Sequence, residues 1–399
     1  MGFIVTTPQG LEALPDAVLV RIIDFLRSQR DVYHMCLVNR RLNSVADPVL
    51  YKSISFAQPK HHVAFSASLI ARPRRGSLIQ DVVLEYPSDE LSEVLHMMEV
   101  PSKVDNFSHA LAAMSNLESL VLSVPQRLCK GIGVLLNDPF AFACLRTCML
   151  FYHCEGGGYW DLQDNIHIFS HPTVENLTIR RAKLDQRGFE SLELPSETPL
   201  KELHLVECDL NADGLTELLL FPEALKEISM KQLNIPSPRL EETPDDIEDY
   251  VFAFKSAVHS LETVSVDFPT LRGRDPLKLR EFESLTTLEV RDHQLFGSSG
   301  LSSVAFPPNL ESLTFFNMVE GEDLVDLLCY TLEKKEIFAR NLRRLVLPEG
   351  ETSIPKRLVE VCTEPLVLCT TAIDGEESEK WEEISNDQDE CSDDGNNDE

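Results

Sequence analysis

The fold class of this chain follows from the stretch LKELHLVECDL, which runs from Leu200 to Leu210. Within it Leu203 and Leu205 flank His204, and this alternation predicts a β-strand with one apolar face. The stretch opens with an apolar residue, two variable residues, an apolar residue, one variable residue and an apolar residue. This pattern occurs ten times, in units that begin at Ile79, Leu117, Leu145, Val174, Leu200, Leu225, Leu261, Leu285, Leu310 and Leu342.

A single unit of this kind cannot bury its apolar face, whereas parallel stacking of units makes a continuous core. The units start 24 to 38 residues apart, and helical spacing of apolar residues predicts crossover helices at 108–114, 247–257 and 322–334. Five units also carry an apolar residue ten places after their start: Leu184, Leu210, Ile235, Leu271 and Leu295. The sequence therefore predicts an α/β fold, a curved parallel sheet with helices on its convex side. The irregular spacing leaves the exact number of units open.

Residues 11–54 carry a different pattern, which predicts three short helices. Pro15 suits the first turn of a helix, and Asp16 favours the positive end of the helix dipole. This first helix has two apolar stripes, Val18-Ile22-Phe25 and Leu19-Ile23-Leu26.

The second and third helices follow closely. Asp31 is expected to cap the second helix, which continues through Leu37. The third helix is expected from about Arg40 until Pro48, because proline cannot continue a helix interior. A domain of this size is marginal alone, so its leftover apolar surface is expected to pack on another protein. The alternative is that both stripes of the first helix face the downstream domain and the helices only cap it.

Thirteen residues of this region resemble an F-box, a small helical module that docks on a Skp-family adaptor, in both order and spacing. They are Leu14, Pro15, Val18, Ile22, Leu26, Asp31, Val32, Cys36, Leu37, Val38, Asn39, Arg40 and Leu42. The repeat units resemble leucine-rich repeats, with Cys208 where that family has asparagine or cysteine. An F-box before degenerate leucine-rich repeats is similar to fungal-type substrate receptors of SCF (Skp-cullin-F-box) ubiquitin ligases.

The resemblance implies a non-catalytic substrate-recognition subunit of such a ligase. Its F-box would dock on the Skp-family adaptor, which joins it to a cullin and a RING subunit, and its leucine-rich-repeat solenoid would bind an unidentified target protein for ubiquitination. The residues implied for adaptor binding are Leu14, Pro15, Val18, Ile22, Leu26, Leu37 and Val38. An alternative is an adaptor-bound or free leucine-rich-repeat scaffold in a non-ligase assembly.

The predicted target-binding surface is the concave strand face, on the side opposite the buried leucines. The residues expected there are Met149, Phe151, Arg180, His204, Lys231, Arg291 and Phe316. Their cationic members suit an acidic or phosphorylated segment. The alternative interpretation is that these side chains merely solvate the sheet.

Charge is distributed unevenly along the chain. The formal net charge is −30, and residues 374–399 contribute 13 acidic residues and one lysine, a net of −12. The predicted organisation is an N-terminal extension at 1–10, an F-box at 11–55, a linker at 56–76, a solenoid at 77–370 and a disordered acidic tail at 371–399. The remaining −18 (−30 less −12) argues against a nucleic-acid partner. The basic cluster Arg72, Arg74 and Arg75 is interpreted as a solvated turn.

The sequence gives little support for a metal site, an active site or a membrane span. Ten cysteines lack paired spacing, which favours reduced thiols in the cytoplasm or nucleus. No apolar run is long enough for a membrane span, and no nucleotide-binding or catalytic motif is present. The sequence thus predicts no cofactor, metal site or enzymatic activity. Cys144, Cys148, His153 and Cys154 lie close together, but Cys148 takes an inward strand position and is expected to be a core residue. The acidic residues between Glu241 and Asp249 are expected to cover a surface insertion or, equally, to open a solvated helix, rather than to form a binding site.

Overall fold

The computed structural model describes residues 10–26, 28–56, 59–85, 106–138, 140–192, 197–243, 246–297, 304–317, 322–348, 356–363 and 367–372. The chain divides into two compact units, residues 1–273 and residues 274–399. Most of the predicted acidic tail lies outside the described residues. Its first two residues, Thr371 and Ala372, belong to the last described strand.

The helices of the first unit begin with the three predicted from residues 11–54. They are α1 (Asp16–Asp24), α2 (Gln29–Val38), α3 (Arg40–Lys52), α4 (Pro59–Ala71), α5 (Asn106–Ala112), α6 (Cys129–Leu136), α7 (Ala212–Leu218) and α8 (Ile247–Phe254). Short 3-10 helices include Pro73–Leu78 before the second strand and Leu162–Ser170 before the sixth.

The strands of the first unit form two parallel sheets. The larger sheet has the order β1 (Ser53–Phe56), β2 (Asp81–Glu85), β3 (Ser119–Pro125), β4 (Thr147–His153), β6 (Asn176–Arg180), β8 (Glu202–Val206), β10 (Glu227–Lys231) and β11 (Thr263–Asp267). The smaller sheet contains β5 (Trp160–Asp161), β7 (Ala182–Leu184) and β9 (Asp209–Leu210).

The larger sheet is in register across its strands, so equivalent residues form rows. One buried row contains Leu120, Cys148, Leu177, Leu203, Ile228 and Val264. The opposite, half-buried face carries Val121, Met149, Thr178, His204 and Ser229. One face of every strand thus builds the core, as the alternation in the sequence predicts.

The second unit repeats this parallel arrangement. Its strands are β12 (Thr287–Val290), β13 (Ser312–Phe315), β14 (Arg344–Pro348) and β15 (Leu368–Ala372), in that order. Its helices are α9 (Asp292–Phe296), α10 (Glu322–Glu333), α11 (Lys335–Phe338) and α12 (Lys356–Thr363). A helical N-terminal region followed by mostly parallel strands with helices makes the chain an α/β protein.

The positions of the ten sequence units predict the positions of ten strands. In each unit a strand begins two residues after the first residue, which is itself buried. The three predicted crossover helices are confirmed as α5, α8 with its 3-10 extension, and α10. Of the two alternatives for the acidic segment, the structure has the helix start, with Asp246 as the N-cap of α8.

One of the five additional apolar positions is not in the core. Leu184, Leu210, Leu271 and Leu295 are buried, but Ile235 is 85 % exposed. The reason is that Gln232 takes a buried place directly after β10 and donates a hydrogen bond from Nε2 to the carbonyl oxygen of Cys208, at 3.2 Å. The chain beyond it forms a surface loop.

Two helix boundaries also differ from the prediction. The cap of α2 is Ser28, whose Oγ accepts a hydrogen bond from the backbone N–H of Arg30, and Asp31 lies in the first turn. The predicted end of α3 at Pro48 is wrong, because α3 continues through Pro48 to Lys52. Proline inside a helix costs about 3 kcal/mol. Packing of Val45, Ala46 and their neighbours against α1 and α2 offsets this cost.

The predicted linker at 56–76 contains regular structure. It holds α4 and the first part of the 3-10 helix Pro73–Leu78. The strand β1 directly follows α3 and pairs in parallel with β2. The three helices therefore lead into the larger sheet without an extended connection.

Candidate functional site

The three N-terminal helices enclose a small core of their own. Its buried residues are Leu19, Ile23, Val32, Cys36, Leu42, Val45 and Ala46. Helices α2 and α3 meet at Asn39, whose Oδ1 accepts a hydrogen bond from the backbone N–H of Leu42 at 2.8 Å and caps α3. This core leaves much of the apolar surface of α1 and α2 uncovered.

The two stripes of α1 have different environments. Leu19 and Ile23 are 1 % and 0 % exposed and belong to the core. Val18, Ile22 and Phe25 are 41 %, 36 % and 85 % exposed. The Val18-Ile22-Phe25 stripe is therefore left exposed by the rest of the first unit, which contradicts the alternative that both stripes face the downstream domain.

The end of α2 adds two further exposed apolar side chains. Leu37 and Val38 are each 63 % exposed. Just beyond them, Arg41 donates hydrogen bonds to the carbonyl oxygen of Leu14 at 2.6 Å and to Oδ1 of Asp16 at 2.7 Å. These bonds hold the start of α1 beside the junction of α2 and α3. We call Val18, Ile22, Phe25, Leu37 and Val38 the apolar surface of the three-helix region.

The residues predicted for adaptor binding divide into two groups. Pro15, Val18, Ile22, Leu37 and Val38 are exposed. Leu14 and Leu26 are half-buried and pack against the small core, so a change at either would disturb folding as well as any contact. Phe25 was absent from the predicted set although it is strongly exposed, and its position seven residues after Val18 in the same stripe was the signal for it.

The three-helix region is tied to the larger sheet by Arg75. Its guanidinium donates to the hydroxyl of Tyr51 at 2.7 Å and to Oδ1 of Asp47 at 3.2 Å, and it lies 4.6 Å from the ring centre of Tyr51. Gln29 also donates from Nε2 to the carbonyl oxygen of Ser53, at 2.5 Å. Arg72 and Arg74 are exposed, so the solvated-turn interpretation fits them but not Arg75.

On the half-buried face of the larger sheet, the structure brings two of the predicted target-binding residues together. The guanidinium carbon of Arg180 lies 5.2 Å from the ring centre of Phe151, its partner in the register of β4 and β6. Arg180 also forms an ion pair with Glu207, at 3.0 Å, so its charge is partly neutralised. Met149 lies in the neighbouring row with His204.

The other predicted residues of this set are more dispersed. Lys231 is exposed at the end of β10, where it pairs in register with Asp267. Arg291 and Phe316 are half-buried in the second unit, at the start of α9 and directly after β13. The structure thus supports a local group around Phe151 and Arg180 rather than a row of free cations.

The turn beside this group has an uncommon backbone. Arg181 and Glu207 follow β6 and β8 with φ of 52° and 54°, in the left-handed region that non-glycine residues rarely adopt. Arg181 donates to the carbonyl oxygens of Gly157 at 2.8 Å and Ser237 at 2.7 Å, and it contacts Glu207 at 3.7 Å. These bonds hold the strained turns in place.

His153 lies in the same neighbourhood and is expected to be neutral. Burial lowers its pKa, and the positive charges of Arg180 and Arg181 lower it further, against a hydrogen bond that acts in the other direction. Its Nε2 lies 2.9 Å from Oγ of Ser123, and its ring centre lies 4.3 Å from that of Phe151. His153 and Phe151 form a neutral aromatic patch next to the Arg180–Glu207 pair.

No metal-ligand group or membrane helix is found in the described part of the chain. Among those residues, no three or more histidine, cysteine, aspartate or glutamate side chains are placed to hold a metal ion. Cys148 is fully buried, as predicted, and burial raises the pKa of its thiol to about 12. No described helix is both long and apolar enough to cross a bilayer.

Comparison with known families identifies the three-helix region. Residues 11–57 match the family model described as F-box-like. The chain therefore contains an F-box-like domain, which includes the small core and the apolar surface described above. F-box domains generally bind Skp-family adaptors, and they indicate, in general, a non-catalytic adaptor or receptor role in ubiquitin ligation. No curated protein matches the chain.

Proposed function

We propose that this chain is the substrate-recognition subunit of an SCF-type ubiquitin ligase of the fungal kind. In this proposal the F-box-like domain docks on a Skp-family adaptor, which carries the cullin and the RING subunit. The parallel strands and helices form an irregular leucine-rich-repeat solenoid that binds the target protein. Such a receptor acts in the cytoplasm, the nucleus or both.

The observation that carries the proposal is the apolar surface of the F-box-like domain. Five large apolar side chains, each at least 36 % exposed, lie on two short helices above a core of seven buried residues. Burial of apolar surface contributes roughly 25 cal/mol per Å². Exposed apolar patches rimmed by polar residues typically mark docking sites. Asp16, Arg21 and Arg41 supply such polar residues here.

The proposed contribution to ubiquitination is proximity. A receptor that holds a target near a charged conjugating enzyme raises the local concentration of the target's lysines without forming a bond itself. The firm attachment of α3 to the larger sheet supports this role, because Arg75 and the direct passage into β1 restrict movement between the adaptor-binding and target-binding parts.

The proposed target-binding surface is the half-buried face of the strands. We place its centre at Phe151 and Arg180, with Met149, His204 and Lys231 beside them on the same sheet. For Arg291 and Phe316, which lie in the second unit, we propose a role in target binding within that unit alone. Exposed aromatic and arginine side chains are frequent anchors of protein interfaces.

The proposal is tested by measuring the affinity of the purified chain for a purified Skp-family adaptor. The variant Leu37→Asp, Val38→Asp places two charges in the proposed interface at exposed positions, so the fold is expected to be retained. We expect at least a 30-fold loss of affinity, which corresponds to about 2 kcal/mol, the size of an interface hot spot. Unchanged affinity would contradict the docking surface.

The matched control carries the same kind of change at exposed apolar residues elsewhere. Ile235→Asp and Phe252→Asp alter side chains that are 85 % and 67 % exposed. Both controls are expected to bind the adaptor like the unmodified chain. The variant Leu14→Ala, Pro15→Ala is a less clear test, because Leu14 packs against the small core.

A second readout separates the ligase receptor from a scaffold. When the adaptor is supplied as its complex with cullin and the RING subunit, a ligase receptor enters the complete assembly. Binding of the adaptor alone, with exclusion of the cullin complex, would favour the scaffold instead.

A further inference from the structure

The end of α10 and the short helix α11 expose a group of aromatic and apolar side chains in the second unit. Tyr330 and Ile337 are 51 % and 69 % exposed, and Phe338 is half-buried. The ring centres of Tyr330 and Phe338 lie 5.9 Å apart. We call Tyr330, Ile337 and Phe338 the α10–α11 patch. It belongs neither to the F-box-like domain nor to the proposed target-binding surface.

Backbone hydrogen bonds hold this patch in one arrangement. The N–H of Lys334 donates to the carbonyl oxygen of Tyr330 at 3.1 Å, and the N–H groups of Ile337 and Phe338 donate to the carbonyl oxygen of Lys334 at 2.9 and 3.2 Å. Leu332 is 2 % exposed and anchors the end of α10 in the core. The α10–α11 patch is therefore a preformed surface.

Basic residues accompany the α10–α11 patch, although the chain as a whole is strongly acidic. Residues 333–344 contain five basic and two acidic side chains, a net of +3 in a chain of net −30. Lys334 is exposed beside the patch, and Arg340 is exposed two residues after Phe338. Arg340 lies 3.8 Å from Glu336, but an ion pair between two exposed groups contributes little. The patch therefore suits a segment that combines large apolar side chains with carboxylates.

The acidic tail carries this combination. Residues 374–399 hold 13 acidic residues and one lysine, and their only large apolar side chains are Trp381 and Ile384. Residues 376–384 place five glutamates around these two side chains. Such a segment can lay Trp381 against the aromatic rings of the α10–α11 patch while its glutamates face the basic residues.

The tail is also long enough to reach the patch. Between the parallel strands β13 and β14 the chain must return from the carboxyl ends of the strands to their amino ends, and α10 makes this return. Its 12 residues span about 18 Å. The parallel strand β15 ends at Ala372, nine residues before Trp381, and an extended chain of that length spans up to about 30 Å. Trp381 can therefore meet the far end of α10 from the carboxyl end of β15.

We propose that the acidic tail folds back on its own chain and docks on the α10–α11 patch through Trp381 and Ile384. The partner of the patch is thus a segment of the same molecule. A short tether holds such a segment at about millimolar concentration near its site, so a contact of a few side chains is sufficient. Docking covers the patch against other proteins. The inference does not depend on the proposed function.

Acrylamide quenching of tryptophan fluorescence tests the docking in the full-length chain. The chain has two tryptophans, and Trp160 is 0 % exposed, so the accessible signal comes from Trp381. The variant Trp381→Phe gives the signal of Trp160 for subtraction. Because tethering favours the docked state, we expect the quenching constant of Trp381 to be at least about threefold smaller than in a free peptide of residues 373–399. Equal quenching constants in the chain and the peptide would overturn the proposal.

Two variants of the same kind locate the docking site. Ile337→Asp introduces a charge at a 69 % exposed position of the α10–α11 patch, and Phe252→Asp does so at a 67 % exposed position of α8 in the first unit. We expect the quenching constant of Trp381 to rise to the peptide value in Ile337→Asp and to stay low in Phe252→Asp. A constant that stays low in both variants would show that the tail is protected elsewhere and would contradict the assignment to the patch.

Carbodiimide cross-linking gives a readout that needs no variant. The reagent joins a lysine amine to a carboxylate in contact with it, and we expect Lys334 to be linked to glutamates of residues 376–383 within one chain. Links between two chains in place of these, or protection of Trp381 that is lost on dilution, would show that the tail of a second copy occupies the patch. Either result would overturn the intramolecular assignment.

Discussion

At the scale of single residues, Asp209 shows how one buried carboxylate organises a surface segment. It is 1 % exposed and accepts hydrogen bonds from the backbone N–H groups of Glu241, Glu242 and Thr243 at 2.9 to 3.1 Å. We expect Asp209→Ala to destabilise the protein by at least about 1.5 kcal/mol, because hydrogen bonds to a charged group would be lost. Faster hydrogen exchange of the amides at 241–243 would report the change directly.

The matched control for that change is Asp213→Ala. Asp213 is exposed in the first turn of α7, so this variant removes the same charge from a nearby position without unpairing those amides. Exchange at 241–243 should then stay as in the unmodified chain. Equal effects of the two variants would show that net charge, and not the hydrogen bonds of Asp209, stabilises the segment.

His171 makes a prediction about pH. It is 2 % exposed, and burial lowers its pKa below the ordinary value of 6.5. The unfolded chain therefore binds a proton at a higher pH than the folded chain does. The free energy of unfolding should fall as the pH decreases below about 6.5, by up to about 1.4 kcal/mol per pH unit for this group.

The variant His171→Gln tests this contribution. Urea unfolding midpoints are measured from pH 8 down to pH 5. The variant should lose part of the acid-side decrease but keep the part due to His153 and His167, whose pKa values burial also lowers. The same decrease in variant and unmodified chain would show that His171 does not contribute to it.

The sequence correctly predicted which side chains are buried where an alternating apolar pattern determines their burial. The alternation in the repeats correctly marked Leu203, Cys148 and their equivalents as core residues. The recurrence of an apolar residue ten places after the start of a unit was a weaker guide, because Ile235 is exposed where Gln232 takes the buried place after β10. The ion pair of Arg180 with Glu207 was also not foreseen, because it depends on a left-handed turn that the sequence does not signal with glycine.

At the scale of elements, α6 and the 3-10 helix Leu162–Ser170 approach each other at Gly133. A methyl group added there would overlap with the carbonyl oxygen of Asp164. Glycine to alanine usually stabilises a helix interior by about 1 kcal/mol. We nevertheless expect Gly133→Ala to destabilise the protein by about 1–3 kcal/mol, because the two backbones must separate. Thermal unfolding measures the net effect.

The control for this substitution is Gly158→Ala. Gly158 has an ordinary negative φ of −69°, and an added methyl group would meet only the Cβ of Cys154 at 3.9 Å. Its unfolding temperature should remain close to that of the unmodified chain. If Gly133→Ala also left the unfolding temperature unchanged, the contact between α6 and the 3-10 helix would be looser than the geometry indicates.

The elements themselves were predictable to different degrees. Ten strands follow the sequence pattern with a constant offset, because each strand must bury the same alternating side chains. The smaller sheet of β5, β7 and β9 was not predicted, since strands of two or three residues carry no periodicity. The length of α3 was underestimated, because tertiary packing outweighs the local cost of Pro48.

At the scale of the whole molecule, the connection between the F-box-like domain and the larger sheet differs most from the sequence-based expectation. Local composition at 56–76 suggested a linker and a solvated basic turn. The structure has α4 in that segment, and Arg75 contacts Tyr51 and Asp47, which precede it by 24 and 28 residues. Contacts over such separations have no local signature, so a reading of the sequence could not identify them.

This junction gives the prediction that bears most directly on how the parts act together. Arg75→Ala removes the ion pair, the hydrogen bond to Tyr51 and the contact with its ring, and we expect it to cost about 1–2 kcal/mol. Hydrogen exchange should accelerate in the second half of α3 and in β1, at residues 47–56, while the buried strands from β3 to β10 stay protected. Arg74→Ala, a loss of the same charge at an exposed neighbour, is the control. If both variants exchange at the same rate over residues 47–56, then the direct passage from α3 into β1, and not Arg75, holds the F-box-like domain to the sheet.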